Sequence, residues 1–230
     1  MLMLSKTADV AKLINTRAPA LPLAEPVYTR DFKNRYSNIL RLYFAQIDSV
    51  IQGLLGSNGG QYLELPHISA SDNTDQYATA NDTPTLVLWD TLESSSGFTL
   101  NPSGSATAAH SGVYKIDYSL QLANTDNAAH DAYIWLQTNG TVVARSTSKF
   151  TVPARKSAGV YSFIVAYSSV TFEIQEDDEI KLWWATDQAY NPVGPVDGVY
   201  MEFIPAQAVP YVRPANPSAI GSIVYVSRLE

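Results

Sequence analysis

Residues 112–126, GVYKIDYSLQLANTD, decide the fold of this chain. Apolar and polar side chains alternate along the stretch, and successive side chains of an extended strand point to opposite faces. The alternation predicts an antiparallel strand with one face on a core and the other toward solvent. The apolar side chains that would face the core are Tyr114, Ile116, Tyr118, Leu120 and Leu122.

Short strands with turn residues between them continue on both sides of this stretch. The runs AYIWLQT and TVVARSTS are joined by Asn139–Gly140, and this dipeptide is the strongest short-range signal for a β-hairpin. The spacing predicts an all-β sandwich over residues 57–230. Further predicted strands are TLVLWDT (85–91), GVYSFIVAYS (159–168), SVTFEI (169–174), DEIKLWWAT (178–186), VYMEFIP (199–205) and SAIGSIVYVS (218–227).

The segment before the sandwich has helical rather than strand periodicity. Residues 30–56 predict one amphipathic helix, because apolar side chains recur at alternate spacings of four and three, as in the seam of a coiled coil. The helix would therefore join copies of the chain in a trimer, although packing on its own domain remains an open alternative. The seam consists of Tyr36, Leu40, Tyr43, Ile47, Val50 and Leu54.

Residues 1–29 predict an extended, proline-rich arm. Pro19, Pro22 and Pro26 fall within eight positions, and proline at this density prevents helix formation and favours extended backbone. We expect such an arm to lie against a sister chain or another protein, and attachment to a larger particle would then run through these prolines. Packing of the arm on its own domain is the alternative.

Composition limits the classes of function. A net charge of −7 without a Lys/Arg cluster argues against nucleic acid as a partner. The chain has no cysteine, so disulfides and thiolate metal sites are excluded. Neither a signal peptide nor an apolar run long enough to cross a membrane is recognisable, so we expect no membrane partner and assembly in the cytoplasm.

The later strands resemble the C1q/TNF-like jelly roll. In that family an apolar strand leads to an acidic turn and then to a strand ending in an aromatic residue. Here SVTFEIQEDDEIKLWW, residues 169–184, matches this order, with the acidic turn at Glu176–Asp178. SIVYVS would be the closing central strand. The resemblance implies a jelly roll, and domains of this family usually form homotrimers.

Most of the chain after Arg30, and residues 30–76 in particular, resembles structural proteins of marine and cyanobacterial tailed phages. Those proteins share a helix of the form SNILRLYF…ID, an LLG-NGG stretch, a PHxxxSD segment and an NTD at the end of the first long strand, here Asn124–Asp126. The resemblance implies a virion structural protein. It does not cover the proline-rich arm.

No catalytic or metal-binding constellation is recognisable in the sequence. His67, His110 and His130 lie in separate segments without a second ligand at metal spacing, and no protease, nucleotide-binding or nucleophile-elbow motif occurs. ESSSG at 93–97 is interpreted as a turn, and the acidic residues 176–179 as a solvated turn rather than a calcium site. Trp183, Trp184 and Tyr190 are candidates for stacking on a sugar ligand.

The sequence therefore predicts a mainly β protein, an antiparallel jelly-roll sandwich preceded by an extended arm and one amphipathic helix. We expect no enzyme activity and no cofactor. The predicted function is that of a homotrimeric virion structural protein, anchored to capsid or tail proteins by its arm, and most simply a capsid decoration or cement protein or a head fibre. The alternative function is a tail fibre or a receptor- or glycan-binding adhesin, with loop residues 185–198 as its contact surface.

Overall fold

In a computed structural model, the chain divides into two compact units at the bond between Leu65 and Pro66. Among the residues that the structure describes, the first unit contains one helix and the second contains the strands. Backbone alone is described for residues 52–55. The described residues are 19–21, 29–55, 65–194 and 196–229.

Helix α1 spans Arg30–Leu55, as the periodicity predicts. Thr29 caps its N-terminus, because the Thr29 hydroxyl accepts a hydrogen bond from the Phe32 amide at 3.2 Å and satisfies one of the first free N–H groups. Asp31 lies in the first turn, where the positive end of the helix dipole favours a carboxylate. Within the described residues, no helix has the length and apolarity that a bilayer crossing requires.

The second unit, Pro66–Leu229, consists of two antiparallel sheets of seven strands each. Strands from distant parts of the chain lie side by side in both sheets, so the fold depends on long-range pairing. The strands are β1 (His67–Asp72), β2 (Gln76–Tyr77), β3 (Thr85–Leu86), β4 (Thr91–Ser96), β5 (Phe98–Leu100), β6 (Ala106–Ala108), β7 (Gly112–Asn124), β8 (His130–Thr138), β9 (Thr141–Val142), β10 (Ser148–Val152), β11 (Ser162–Ile174), β12 (Glu179–Thr186), β13 (Val199–Met201) and β14 (Ala219–Ser227).

The strand order is that of a jelly roll, so the predicted fold class is confirmed. The first sheet runs β11–β7–β14–β1–β4, with β13 and β2 beside the C-terminal end of β7. The second sheet runs β10–β8–β12–β6–β5, with β3 on β12 and β9 on β8. The chain alternates between the two sheets, and the final strand, β14, closes the centre of the first sheet between β7 and β1, as predicted.

Strand β7 supplies the centre of the core. All five of its predicted core side chains are buried, and the polar residues between them lie on the outer face of the first sheet. Ile180, Leu182 and Trp184 of β12 are fully buried and form part of the same core cluster. On β14, Gly221 leaves room for the Trp89 ring, whose atoms would lie 2.5 Å from a Cβ at that position.

Several predicted strand boundaries are wrong. In TVVARSTS, strand β9 covers only Thr141–Val142, and VYMEFIP is a strand only at Val199–Met201. GVYSFIVAYS and SVTFEI form the single strand β11, which pairs with β7 along its whole length. ESSSG is not a turn throughout, because residues 93–96 belong to β4 and only Gly97, at φ 64°, turns the chain.

The predicted strand TLVLWDT crosses between the sheets instead of staying in one. Its start pairs with β12 in the second sheet, and its end begins β4 in the first sheet. The Gln76 side chain holds the crossing segment, since it donates to the Leu88 carbonyl at 3.0 Å and accepts from the Leu88 amide at 2.8 Å. Val87 and Trp89 thereby enter the core.

Candidate functional site

The apolar seam of α1 is not buried within the chain. Between residues 30 and 51, whose side chains are described, no side chain of the helix is classed as buried. Leu40, Tyr43, Ile47 and Val50 are half-buried, and Tyr36 is 37% exposed. The side chain of Leu54 lies outside the described residues. The seam therefore retains apolar surface that association with other chains would remove from water.

Only one of the three predicted attachment prolines can be placed. Pro19 is half-buried and lines a small hollow of about 170 Å³ together with Ile39, Leu42, Tyr43 and Gln46 of α1. Pro22 and Pro26 lie outside the described residues. Pro19 therefore lies beside the helix of its own chain, and its role in attachment stays a prediction.

A second apolar surface lies on the outer face of the first sheet. On β11, Phe163, Val165 and Tyr167 are 52%, 57% and 56% exposed. Across β7, Tyr167 is in register with Ser119 and then with Ile220 of β14, which is also exposed. The exposed apolar side chains therefore lie on β11, as the strip Phe163–Val165–Tyr167, and on β14, with the polar Ser119 of β7 between them.

A pair of charged side chains lies on the same outer face, directly beside the apolar strip. Lys115 and Asp117 of β7 form an ion pair at 2.9 Å, and the Tyr167 hydroxyl donates to Asp117 at 3.0 Å. Partial burial by itself would raise the pKa of Asp117, but hydrogen bonds from Lys115, Ser169 and Tyr167 outweigh it and lower the pKa below its ordinary value. Asp117 is thus held as a carboxylate beside the apolar strip.

The sequence contained a signal for this surface that the strand prediction did not use. FIVAY, residues 163–167, is apolar at every position, whereas a strand with one solvated face alternates. In the structure the even-numbered side chains Ile164 and Ala166 face the core. The odd-numbered ones are the exposed strip, so this continuous run indicates a strand whose second face needs a cover.

The three predicted sugar-stacking residues do not form one surface. Trp184 is fully buried in the core, so the prediction that it contacts a ligand is wrong. Trp183 lies on the outer face of the second sheet, where its indole N–H donates to Gln137 at 2.9 Å. Tyr190 lies elsewhere, in a cleft beside Tyr77.

Two of the three histidines, His67 and His130, make local polar contacts. His67 is 2.8 Å from the Ser94 hydroxyl, and His130 lies between Asp126 at 2.8 Å and Asp187 at 3.2 Å. Across the described residues, no group of three His, Asp or Glu side chains could hold a metal ion.

The acidic turn closes around Asn139 of the neighbouring hairpin. The Asp178 carboxylate accepts a hydrogen bond from the Asn139 side-chain NH₂ group at 2.6 Å. The Glu179 backbone amide donates to the Asn139 side-chain oxygen at 2.9 Å. The positive φ of Asn139 and Gly140 matches the predicted hairpin turn. The carboxylate of Asp178 therefore serves to hold two turns together.

No protein-family model and no curated protein matches the chain. Among solved structures, the chain is similar to the Eiger TNF of S. frugiperda, at 15% sequence identity and a TM-score of 0.44. The match covers 72% of this chain and 96% of that one.

Proposed function

We propose that this chain is a homotrimeric structural component of a phage particle, anchored by its N-terminal arm. The observation that carries self-association is the exposed Phe163–Val165–Tyr167 strip, together with an α1 seam that the single chain buries only in part. Water-exposed apolar strips of this kind mark association surfaces. Copies of the same chain are the proposed occupant because the seam has the spacing by which like helices join.

The resemblance of residues 30–76 to tailed-phage structural proteins supports the virion part of the proposal, and the resemblance to C1q/TNF-like domains supports the number three. Within this proposal the chain is a capsid decoration or cement protein, or a head fibre. The proposal assigns no catalytic step, no cofactor, no nucleic acid and no membrane to the chain. It places the trimer in virions that are assembled in the host cytoplasm.

Self-association is tested by the native mass of the full chain in light scattering. We expect about three times the chain mass of 25.1 kDa. Val165→Glu places a charge on the strip and should lower the mass toward that of a monomer, because burying an unpaired carboxylate is unfavourable. Val142→Glu is the matched control, since Val142 is equally exposed, at 55%, but lies on the second sheet. A monomeric wild-type chain, or equal effects of both variants, would contradict the proposal.

The location is tested on particles of the virus that encodes the chain. An antibody against the sandwich should label purified virions at regular positions on the head in electron micrographs. Labelling at the tail tip would instead favour the tail-fibre or adhesin function. Particles that carry none of the protein would show that it is not a virion component.

A further inference from the structure

A cleft of about 540 Å³ opens beside the β2–β13 edge of the first sheet. One wall is residues 77–81 after β2, and the other is residues 189–192 with Val196, from the loop between β12 and β13. This volume falls within the usual range for small-molecule sites. We propose that the cleft binds a neutral oligosaccharide, with a sugar ring stacked on the tyrosine wall.

Hydrogen bonds between the two walls fix the shape of the cleft. The Asn81 side chain donates to Gln188 at 3.0 Å and accepts the Ala189 amide at 2.8 Å. The Asp82 amide donates to the Thr186 carbonyl at 2.7 Å. These bonds join segments more than one hundred residues apart in sequence. Because the walls are joined already, a ligand does not have to order them, and that lowers the free-energy cost of binding.

Aromatic rings form the apolar part of the site. The rings of Tyr77 and Tyr190 lie 5.8 Å apart, and both contact Tyr200, at 5.7 Å and 4.9 Å. Tyr200 is buried beneath them, so the upper two rings rest on a rigid base. Burial, followed by the hydrogen bond to Asp75, raises the pKa of Tyr77 to about 12, which keeps its hydroxyl uncharged at neutral pH. Such a wall can accept the C–H face of a sugar ring.

Polar groups at the site remain free for a ligand. The hydrogen bonds of the Asn191 side chain use only its oxygen, which accepts the amides of Val193 and Gly194, so its NH₂ group has no partner among the described residues. The Tyr190 hydroxyl likewise has none among the described residues. An amide donor and a hydroxyl beside aromatic rings suit the hydroxyl groups of a sugar.

The absence of charged side chains among the described lining residues favours neutral ligands over anions. Among the described residues that line the cleft, none is charged: besides the tyrosines and asparagines they are Ala, Thr, Pro and Val. A phosphate or a uronic acid would find no cation there to pair with. The proposal is independent of trimer formation, because every lining residue belongs to the second unit of one chain.

The test is calorimetric titration of the full chain with linear hexasaccharides of glucose, galactose and mannose, and with a hexamer of galacturonic acid as the anionic comparison. We expect at least one neutral hexasaccharide to bind. Tyr190→Ala should weaken that binding about tenfold or more through loss of stacking. Tyr190→Phe keeps the ring and should retain most of it.

A second variant covers the case in which Tyr190→Ala disturbs the fold. Asn191→Asp keeps an oxygen for the Val193 and Gly194 amides but loses the NH₂ donor, so it should also weaken binding. Tyr133→Ala is the matched control, because Tyr133 is an exposed tyrosine on the second sheet, and it should bind as the wild type does. The proposal is overturned if no neutral hexasaccharide binds, if only the galacturonic acid hexamer binds, if Tyr190→Ala and Asn191→Asp leave binding unchanged, or if Tyr133→Ala weakens it equally.

Discussion

Gly198 lies where two stretches of backbone approach too closely for a side chain. A Cβ at this position would lie 2.6 Å from the Gln188 carbonyl oxygen and 2.7 Å from the Tyr190 nitrogen. The segment cannot simply move away, because the Gly198 carbonyl accepts the Thr125 amide at 3.0 Å and the Gly198 amide donates to the Thr125 side-chain hydroxyl at 2.9 Å. We therefore expect Gly198→Ala to lower the free energy of unfolding by about 1–3 kcal/mol, measured by denaturant titration.

Gly194 provides the control for this prediction within the same loop. The nearest atom to a Cβ there is the Asn191 side-chain nitrogen at 3.6 Å, an ordinary contact distance. Gly194→Ala should therefore leave the unfolding midpoint close to that of the wild type. Equal stability of the two variants would show that the Gly198 contact is not what limits the loop.

Glu202 is a carboxyl group whose environment favours its protonated form. One oxygen accepts the Tyr200 hydroxyl at 3.0 Å, and the other is buried with no partner among the described residues. Burial, assisted by the negative charge of Asp75, raises the pKa of Glu202 above its ordinary value of 4.5. Because the pKa is higher in the folded state, the stability that this group contributes is complete below pH 4.5 and is lost as the pH rises through the folded pKa.

Glu202→Gln should therefore stabilise the protein at neutral pH. The amide oxygen can still accept the Tyr200 hydroxyl, while the cost of holding a buried carboxylate disappears. We expect the melting temperature to rise by roughly 2–4 °C at pH 7, and by less at pH 4, where the wild-type group is protonated. Calorimetry at both pH values measures the difference. A gain of the same size at both would contradict the raised pKa.

At the scale of elements, the sequence predicted those features that depend only on residues close together in the chain. The alternation in β7, the Asn139–Gly140 turn and the periodicity of α1 depend on neighbouring residues, and all three are confirmed. The break in TLVLWDT depends on the Gln76 side chain, which holds Leu88 from a separate strand. No pattern within the segment carries that information.

The candidate ligand residues illustrate the same limit. Trp184 shares the parity of Ile180 and Leu182, so the alternation of β12 was sufficient to place it in the core. No local pattern predicts the position of Tyr190. Its loop is held by a hydrogen bond from the Ala189 amide to the Asn81 side chain, which lies 108 residues away in sequence. The sequence pattern was therefore sufficient to exclude Trp184 as a ligand contact, but not to predict the cleft around Tyr190.

The α1 seam yields a prediction at this scale. Ile47 occupies an a position and is half-buried even in the single chain. Ile47→Asp would bring three carboxylates into one buried layer of a trimer, so we expect light scattering to give a lower mass than for the wild type. Ser49→Asp is the control, since Ser49 is exposed and occupies a c position of the heptad, outside the a and d seam. A trimer that survives Ile47→Asp would leave the exposed strip of β11 as the whole interface.

At the scale of the whole molecule, the packed core of the sandwich stabilises the single chain, and the proposed association would add to that stability. With no cysteine among 230 residues, disulfide links between copies are excluded. The sandwich has its own core, but on the single chain the β11 strip is exposed and the α1 seam is only half-buried. Association would bury both surfaces, and the stability of the assembly would then depend on protein concentration.

The proposed anchor is the N-terminal arm. Removing the arm tests whether attachment to the particle and trimer formation depend on different parts of the chain. A chain lacking residues 1–28 retains Thr29, whose hydroxyl caps α1, together with the helix and the sandwich. We expect this chain to form trimers of normal stability in light scattering and thermal unfolding. It should nevertheless be absent from purified particles when it is expressed during infection in place of the full chain, because the proposed contact with the capsid runs through Pro19, Pro22 and Pro26. Full-length protein supplied from the same vector should be incorporated. Normal incorporation of the truncated chain would place the anchor on the helix or the sandwich instead.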